Sequence, residues 1–456
     1  MMGRLDREQG QFFYAFDLDA AVPSDHLVRA IDGVLDLGWV REALAPHYSH
    51  TGRPSADPEL MLRMLILGYV FAIRSERQIC REVQVNLAYR WFCGLGLEDM
   101  VANHSAFSRA RHERFRDSGI LRQVFEAVVG RCIAERLVGG NGFAVDASLI
   151  QADANKQRSV PGSQWDPQSR SSEARRAVRD YIATLDDEAF GAATEVVPKF
   201  VSPSDPAAQW TGALRGPAFF AYATNYLIDT RHAIIVDVEA TRAIRQAEVG
   251  AARTMLDRTA ERFGLRPRSL AGDSAYGSAA MLGWLVEQRG IAPHIPVLDK
   301  SSRKDGTLSR ADFHWEAKND RYVCPHGRFL KTTGQPTADG TLLYRSKNVE
   351  CAVCPLKTKC CPHTPFRKIT RDLHEDARDV ARSLAGTDAF EQSRHDRKRV
   401  EMLFAHLKRI LRLGRLRLRG PSGAKDEFLL AATAQNLRRL AKLTIETTIG
   451  AIPATP

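Results

Sequence analysis

Three acidic residues have sequence surroundings that could place them together at a metal site. Asp146 and Asp273 each follow a short apolar run, residues 142–145 and 269–272, which predicts a buried strand. A lone carboxylate at the end of such a strand costs free energy, so we favour metal ligands over caps or turns here. The third acid, Glu401, lies on a predicted helix. Five other aspartates are interpreted as caps, turns or surface charges: Asp153, Asp166, Asp205, Asp229 and Asp237.

The expected chemistry of these acids is phosphoryl transfer. Acids at the ends of neighbouring strands meet at one edge of a sheet, and such a cluster repels itself unless divalent cations neutralise it. Mg²⁺ or Mn²⁺ fits, because these ions take carboxylate oxygens and keep positions for water and phosphate. Two ions about 4 Å apart can activate a nucleophile and stabilise the leaving oxygen at phosphorus.

Two basic residues share the predicted helix face of Glu401. Arg397 lies four residues before it and Lys408 seven residues after it, so all three side chains point the same way. We expect the glutamate to hold metal while the two cations bind phosphates on either side. An ordinary surface helix with ion pairs one turn apart is the alternative.

A basic segment, residues 394–419, extends this pattern. It carries ten Lys or Arg against two acids, and Arg415, Arg417 and Arg419 alternate with leucines as an extended chain with one basic face would. With 65 Lys+Arg against 54 Asp+Glu overall, a polyanionic partner is expected. The predicted phosphate contacts are Arg394, Arg397, Lys398, Lys408, Arg412, Arg415, Arg417 and Arg419.

Five of the eight cysteines fall within residues 300–368, where apolar residues are few. Their spacing predicts a closed structural zinc site with four ligands, Cys324, Cys351, Cys354 and Cys360. His326, Cys361 or His363 could replace one of them, and unliganded thiols are the alternative. The remaining cysteines, Cys80, Cys93 and Cys132, lie in apolar helical surroundings and are predicted to be core residues.

The order of predicted elements indicates an α/β protein with an all-α N-terminal domain. Residues 1–138 are predicted to be a helical DNA-binding or assembly domain, with one helix capped by Ser24 and another by Asp57. Residues 139–299 are predicted to form the first part of a core, with a polar insertion at 155–217. Residues 300–368 are predicted to form a small zinc-ribbon-like insertion, and residues 369–456 the second part of the core. The predicted order is a strand, a pair of strands, a helix, a strand, a helix, a strand and a later helix. This is the order of an RNase H-like core, which is a mixed sheet with flanking helices.

Composition excludes some classes of protein. Hydrophobic residues make up 44%, which allows a sizeable core, and the longest apolar stretch, 60–73, is too short to cross a bilayer. Residues 1–10 lack the pattern of a secretory signal. We therefore expect a cytoplasmic, nucleoid-associated protein without a membrane partner, whose cysteines stay reduced.

Several motifs in this order resemble the DDE insertion-sequence transposases, specifically a bacterial group with an N-terminal helical domain and a cysteine-bearing insertion before the catalytic glutamate. The resemblance covers most of the chain. In the core it is carried by Val145-Asp146-Ala147-Ser148, Gly272-Asp273-Ser274-Ala275-Tyr276 and Arg397-x3-Glu401-x6-Lys408. In the N-terminal part it is carried by Gly52-Arg53-Pro54-Ser55, Asp57-Pro58, Met61-Leu62, 73–77, 86–92 and His104-Ser105-x-Phe107-Ser108-x-x-Arg111. One departure is Arg394, where the family often has tyrosine.

The resemblance implies a transposase that cleaves DNA with divalent metal and then transfers the strand. Its catalytic residues would be Asp146, Asp273 and Glu401, and its partners the element's terminal inverted repeats, target DNA and other copies of the same chain. Two alternatives remain open at this stage. One is a non-catalytic DNA-binding protein derived from a transposase, and the other is a metal-dependent endonuclease without joining activity.

Overall fold

A computed structural model describes residues 16–49, 51, 55–166, 176–184, 197–212, 216–298, 305–338 and 340–450, with residues 444–450 described by backbone only. Residues 1–10, predicted to lack a secretory signal, and the motif Gly52-Arg53-Pro54 lie outside the described residues. The described part contains a helical N-terminal region, a six-stranded mixed sheet with helices around it, and a separate small antiparallel sheet.

The N-terminal region is helical, as predicted. Its helices are α1 (Leu18–Ala21), α2 (Leu27–Asp32), α3 (Val40–Leu44), α4 (Pro58–Val70), α5 (Glu76–Val85), α6 (Leu87–Phe92), α7 (His104–His112), α8 (Arg114–Asp117) and α9 (Ile120–Ala134). Helix α4 is buried nearly all round, and the Asp57 carboxylate accepts the Glu59 amide at its start. The predicted Ser24 cap is wrong, because α2 begins later and is capped by the His26 ring.

The central sheet contains both parallel and antiparallel pairs. Its strands are β1 (Gly142–Gln151), β4 (Gln209–Thr211), β5 (Phe219–Asp229), β6 (Ile235–Arg242), β7 (Ser269–Ala271) and β8 (Ala292–His294), while β2 (Val160–Pro161) and β3 (Phe200–Val201) pair separately. The order is β4-β5-β1-β7-β8, and β6 also pairs with β5. β1 runs antiparallel to β5 and parallel to β7, which runs parallel to β8.

Helices cover this sheet and join it to the N-terminal region. They are α10 (Arg176–Ala183), α11 (Arg245–Phe263), α12 (Ala279–Gly283), continued by a π-helical turn at Trp284–Arg289, α15 (Glu375–Leu384), α16 (Asp388–Arg409) and α17 (Gly420–Gly450). α16 packs on β1, β7 and β8, and α11 packs on β5 and β6. α17 contacts β6, α4 and α9, so the last helix ties the two regions together. Among the described residues, no helix is long and apolar enough to span a membrane.

The cysteine-rich insertion has its own sheet and core, and we call residues 305–372 the cysteine unit. Its strands, in the spatial order β13-β12-β11-β10-β9, are all antiparallel. They are β9 (His314–Glu316), β10 (Arg321–Val323), β11 (Phe329–Lys331), β12 (Thr341–Arg345) and β13 (Lys368–Asp372), with short helices α13 (Asn348–Ala352) and α14 (Lys357–Cys360). A small cluster around Tyr322, Leu330 and Tyr344 fills its interior.

Candidate active site

The parallel pairing of β1 with β7 brings the two aspartates to one place in the sheet. Ala144 pairs with Ala271, and two residues further along each chain come Asp146 and Asp273. The prediction that Asp146 ends its strand is wrong, since β1 continues to Gln151 on its β5 side. β7 stops at Ala271, however, so on the β7 side Asp146 lies just beyond the last paired residue, as Asp273 does.

Helix α16 places Glu401 near these aspartates. On the β5 side Asp146 pairs with Tyr226, whose ring lies 5.3 Å from that of Phe404 on α16. Phe404 is three residues after Glu401, about one turn along the same helix face. The exposed Glu401 side chain therefore projects from the part of α16 that crosses β1 and β7.

Asp146, Asp273 and Glu401 lie near enough for their charges to act on one another, and we call these three residues the acid edge. Burial raises the pKa of the Asp146 carboxyl above its usual range. The Ala147 amide and the positive charge of Arg397 oppose this shift, while the negative charges of Asp273 and Glu401 add to it. One oxygen of Asp146 accepts the Ala147 amide at 2.9 Å, and one of Asp273 accepts the Ala275 amide at 2.7 Å.

The acid edge is not arranged as a finished metal site. Among the described residues, no three Asp, Glu, His or Cys side chains are grouped so that they could hold one ion. Within the same residues, none of the three acids forms an ion pair with a Lys, Arg or His side chain. The site thus consists of three neighbouring carboxylates that no protein cation neutralises by direct contact.

Two residues to which the sequence assigned no role also face the acid edge. Burial raises the pKa of Glu248, in the first turn of α11, to about 7, and the negative charges of Asp273 and Asp146 add to the shift. Tyr276 is 2% exposed, and its hydroxyl has no hydrogen-bond partner among the described residues. Acids are common in the first turn of helices, so the sequence held no signal for Glu248.

The basic residues of α16 differ in their surroundings. Arg397 is half-buried and acts on Asp146, and it forms no ion pair within the described residues. Partial desolvation lowers the pKa of Lys408, although the residue is exposed. Lys398 is exposed, and Arg394 is paired with Glu391 at 3.2 Å on the outer surface of the helix.

Part of the basic segment is neutralised within the protein. The predicted extended run is limited to an isolated bridge at Arg415, where the Leu416 amide donates to the carbonyl of Gln151 at 2.7 Å, because a turn at 413–414 and a bend at 417–418 interrupt it. Arg415 and Arg419 both pair with Asp153, at 2.9 and 2.8 Å. Arg412 and Arg417 are exposed and form no ion pair among the described residues, so both keep a free positive charge.

The five cysteines of the cysteine unit line one small cavity. It has a volume of about 20 Å³, room for a single ion or water, and His326 also lines it whereas His363 does not. Cys324 accepts the Arg328 amide at 3.3 Å, and Cys351 lies 3.0 Å from the Ser346 hydroxyl. Burial, with the neighbouring Cys361, raises the pKa of Cys360 to about 12. All eight cysteines of the chain are free thiols, and Cys93 and Cys132 are buried as predicted, with Cys80 half-buried.

Three of the aspartates interpreted as caps, turns or surface charges are buried and have structural partners, and for Asp237, which lies within β6, that interpretation is wrong. Asp237 is buried and pairs with Arg122 at 2.5 Å and Arg258 at 2.7 Å. Asp229 accepts two backbone amides in the turn between β5 and β6, and Asp205 accepts the Tyr222 hydroxyl at 2.6 Å.

Two family models match the chain. The one described as Transposase domain (DUF772) matches residues 16–113, and the one described as Transposase DDE domain matches residues 323–441. The second match includes Glu401 and the five cysteines of the cysteine unit, whereas Asp146 and Asp273 lie between the two matched regions. No curated protein matches the chain significantly.

Among solved structures, the chain is similar to a piggyBac transposase synaptic complex with hairpin DNA. The two share 8% sequence identity at a TM-score of 0.32, over 94% of this chain and 82% of that chain. A TM-score this low does not establish a shared fold, so the assignment depends on the family matches and the motifs. Both matched families are transposase domains and the second is a DDE domain, so the two family matches support a DDE insertion-sequence transposase.

Proposed function

We propose that this protein cuts DNA at the ends of an insertion sequence and joins the freed ends to target DNA. The observation that carries the proposal is the acid edge. Three carboxylates from β1, the end of β7 and α16 meet there, and no Lys, Arg or His side chain of the described residues pairs with them. Asp146 is half-buried and Asp273 and Glu401 are exposed, so three like charges meet without a compensating ion pair among the described residues, which is the arrangement that a divalent cation or a substrate would complete.

The strand order supports an RNase H-like core as part of this proposal. A central β1 has an antiparallel hairpin, β5 and β6, on one side and parallel β7 and β8 on the other. The helical region before this core would then bind DNA or assemble copies of the chain, and the cysteine unit would be an insertion between β8 and the Glu401 helix. Copies of the chain would then bring two element ends together as a homo-oligomer.

The acid edge suits divalent cations in its donor chemistry. Its ligands would be the carboxylates of Asp146, Asp273 and Glu401, which are hard oxygen donors suited to Mg²⁺ or Mn²⁺. Bound there, the ions would supply Lewis-acid stabilisation of charge at phosphorus. Because no three of these groups are grouped to hold one ion, side chains must rotate when the ions and DNA bind.

The chain's own cations would position the DNA backbone. Arg397 and Lys408 lie on the same face of α16 as Glu401. One of them can bind the phosphate on one side of the cleaved bond and the other the phosphate on the opposite side. Arg412, Arg417 and Lys398 are exposed and could extend this contact, whereas Arg394, Arg415 and Arg419 must first release their acidic partners. The protein's part in the reaction is positioning and electrostatic stabilisation.

A structural zinc ion is part of the proposal for the cysteine unit. Five thiols and His326 line one cavity of ion size, and a backbone amide already donates to the Cys324 sulfur. The proposed ligands remain Cys324, Cys351, Cys354 and Cys360, although Cys361 or His326 could replace one of them. Because no three of these side chains are grouped to hold one ion, they would have to turn toward one another on binding zinc. Elemental analysis of purified protein should find about one zinc per chain if one closed site forms; a folded protein without zinc would contradict it.

The test of the proposed function uses DNA taken from the flanks of the gene, where inverted repeats bracketed by a short duplication would mark an element. Asp146→Asn, Asp273→Asn and Glu401→Gln should each lower cleavage in Mg²⁺ by about a thousandfold or more, since Lewis-acid stabilisation is worth several kcal/mol. Each should still bind the element end. The proposal is falsified if all three variants still cut. Cut DNA without joined product from the wild type would instead indicate an endonuclease.

A further inference from the structure

Glu248 differs in its surroundings from an ordinary acid at the start of a helix. It is half-buried in the first turn of α11, and among the described residues it has no ion pair or side-chain hydrogen bond. Its strongest charged neighbours are two other carboxylates, Asp273 and Asp146, with Arg245 the weaker opposing charge. Three mutually repelling carboxylates are destabilising unless a cation lies among them.

Tyr276 supplies a second, independent observation at the same place. Its side chain is almost completely buried, and its hydroxyl is unpartnered within the described residues. The charged groups that act on this hydroxyl are Asp146, Glu248, Asp273 and Arg397, so it faces the acid edge. A buried hydroxyl without a partner is costly, and such groups usually indicate a missing ligand or water.

The backbone holds the Tyr276 ring in this position. It follows Asp273 in a single 3-10 turn, Ser274–Tyr276, which contacts α11. A Cβ atom at Gly272 would come within 3.2 Å of the Tyr276 ring, so the ring lies directly over the glycine backbone. Glycine allows this close approach, and the hydroxyl is fixed toward the carboxylates with little freedom to find another partner.

We propose that Glu248 and Tyr276 complete the metal centre of the acid edge. Glu248 is a fourth carboxylate toward the divalent cations, directly or through a bound water, and Tyr276 is a positioning residue whose hydroxyl donates a hydrogen bond to an oxygen held there. The inference rests on the proposed function, because both groups act toward ions that Asp146, Asp273 and Glu401 bind. It adds Glu248, from the first turn of α11, and Tyr276, from the turn after Asp273, to the three acids already predicted.

The test measures Mn²⁺ binding to the full chain by electron paramagnetic resonance of the free ion, without DNA or turnover. Glu248→Gln should weaken Mn²⁺ binding by about 10- to 100-fold and Tyr276→Phe by about 10-fold, as loss of supporting groups around metals usually does. The matched control is Glu261→Gln, an exposed glutamate in the last turns of the same helix, which should bind Mn²⁺ as the wild type does. Without metal, Tyr276→Phe should melt at or above the wild-type temperature, because it removes a buried unpaired hydroxyl.

The inference is overturned if Glu248→Gln and Tyr276→Phe bind Mn²⁺ as tightly as Glu261→Gln while Asp146→Asn has lost binding. Unchanged binding in Asp146→Asn as well contradicts the proposed function and this inference with it. Tyr276→Phe removes a single oxygen atom and keeps the ring. It therefore tests the positioning role of Tyr276 independently of the result for Glu248→Gln.

Discussion

Asp237 and Asp146 lie on two strands of the same sheet and have opposite surroundings. Asp237, on β6, pairs with Arg122 and Arg258, and the second of these also holds Glu239 at 2.7 Å. Asp146, two strands away on β1, has two other carboxylates as neighbours and no ion pair within the described residues. The difference separates carboxylates that stabilise the fold from those that remain available for a ligand.

Glu375 and Glu248 extend the comparison. Burial would raise the pKa of Glu375, which is fully buried, but Arg310, Arg378 and Arg382 outweigh burial and lower it to about 2. For Glu248 burial and two acids act in the same direction, and its pKa rises to about 7. The arginine-paired glutamate joins the cysteine unit to α15, and the unpaired one faces the acid edge.

The largest effect that follows is on stability in acid. The Glu375 carboxylate has a lowered pKa, so its contribution is present above about pH 4.5 and is lost as the pH falls through about 2. The shift corresponds to about 3 kcal/mol. The free energy of unfolding, measured with denaturant, should therefore fall by about this amount between pH 5 and pH 2 in the wild type and should not show this fall in Glu375→Gln. The same fall in the variant would contradict the pairing.

Glu248 should give the opposite pH dependence. Because the pKa of Glu248 is raised, its contribution to the free energy of unfolding is full below about pH 4.5 and is lost as the pH rises through about 7. In metal-free protein at pH 8, Glu248→Gln should be about 2 kcal/mol more stable than the wild type, a figure reduced for partial exposure. The two should be equally stable near pH 4. If the variant is less stable at pH 8, Glu248 has a stabilising partner and the comparison fails.

The same distinction between paired and unpaired side chains applies to the basic residues, and here we expect the smallest effect. Arg417 is free among the described residues and Arg415 is paired with Asp153. Arg417→Ala should reduce the slope of log affinity for DNA against log salt by about 0.9, the value for one phosphate contact. Arg415→Ala, the matched control, should change it less, because its charge is already partly neutralised. Equal slopes in the two variants would show that pairing with Asp153 does not survive DNA binding.

The sequence predicted much of the acid edge and missed what depends on distant contacts. The apolar runs before Asp146 and Asp273, and the helix face of Glu401, were local signals, and the structure brings these residues together. The true length of β1 depends on β5, which continues to pair after β7 has ended. That could not be predicted from residues 142–147 alone.

Long-range pairing explains the other differences. Asp153 neutralises two arginines more than 260 residues away, so the basic segment has fewer free charges than its composition indicates. Tyr276 was part of a quoted motif, yet only burial without a hydrogen-bond partner distinguishes it from a core tyrosine. Such features arise from the folded environment, which neither spacing nor composition records.

The most direct test measures Asp146→Asn and Asp237→Asn side by side, for DNA cleavage at the element end and for the free energy of unfolding. Asp146→Asn should lose cleavage and keep or gain stability, because it removes a charge from a repelling cluster. Asp237→Asn should lose about 3 kcal/mol of stability, because it leaves Arg122 and Arg258 without their buried partner, and its folded fraction should still cut DNA. Cleavage by Asp146→Asn, or a loss of stability in it equal to that of Asp237→Asn, would contradict the account.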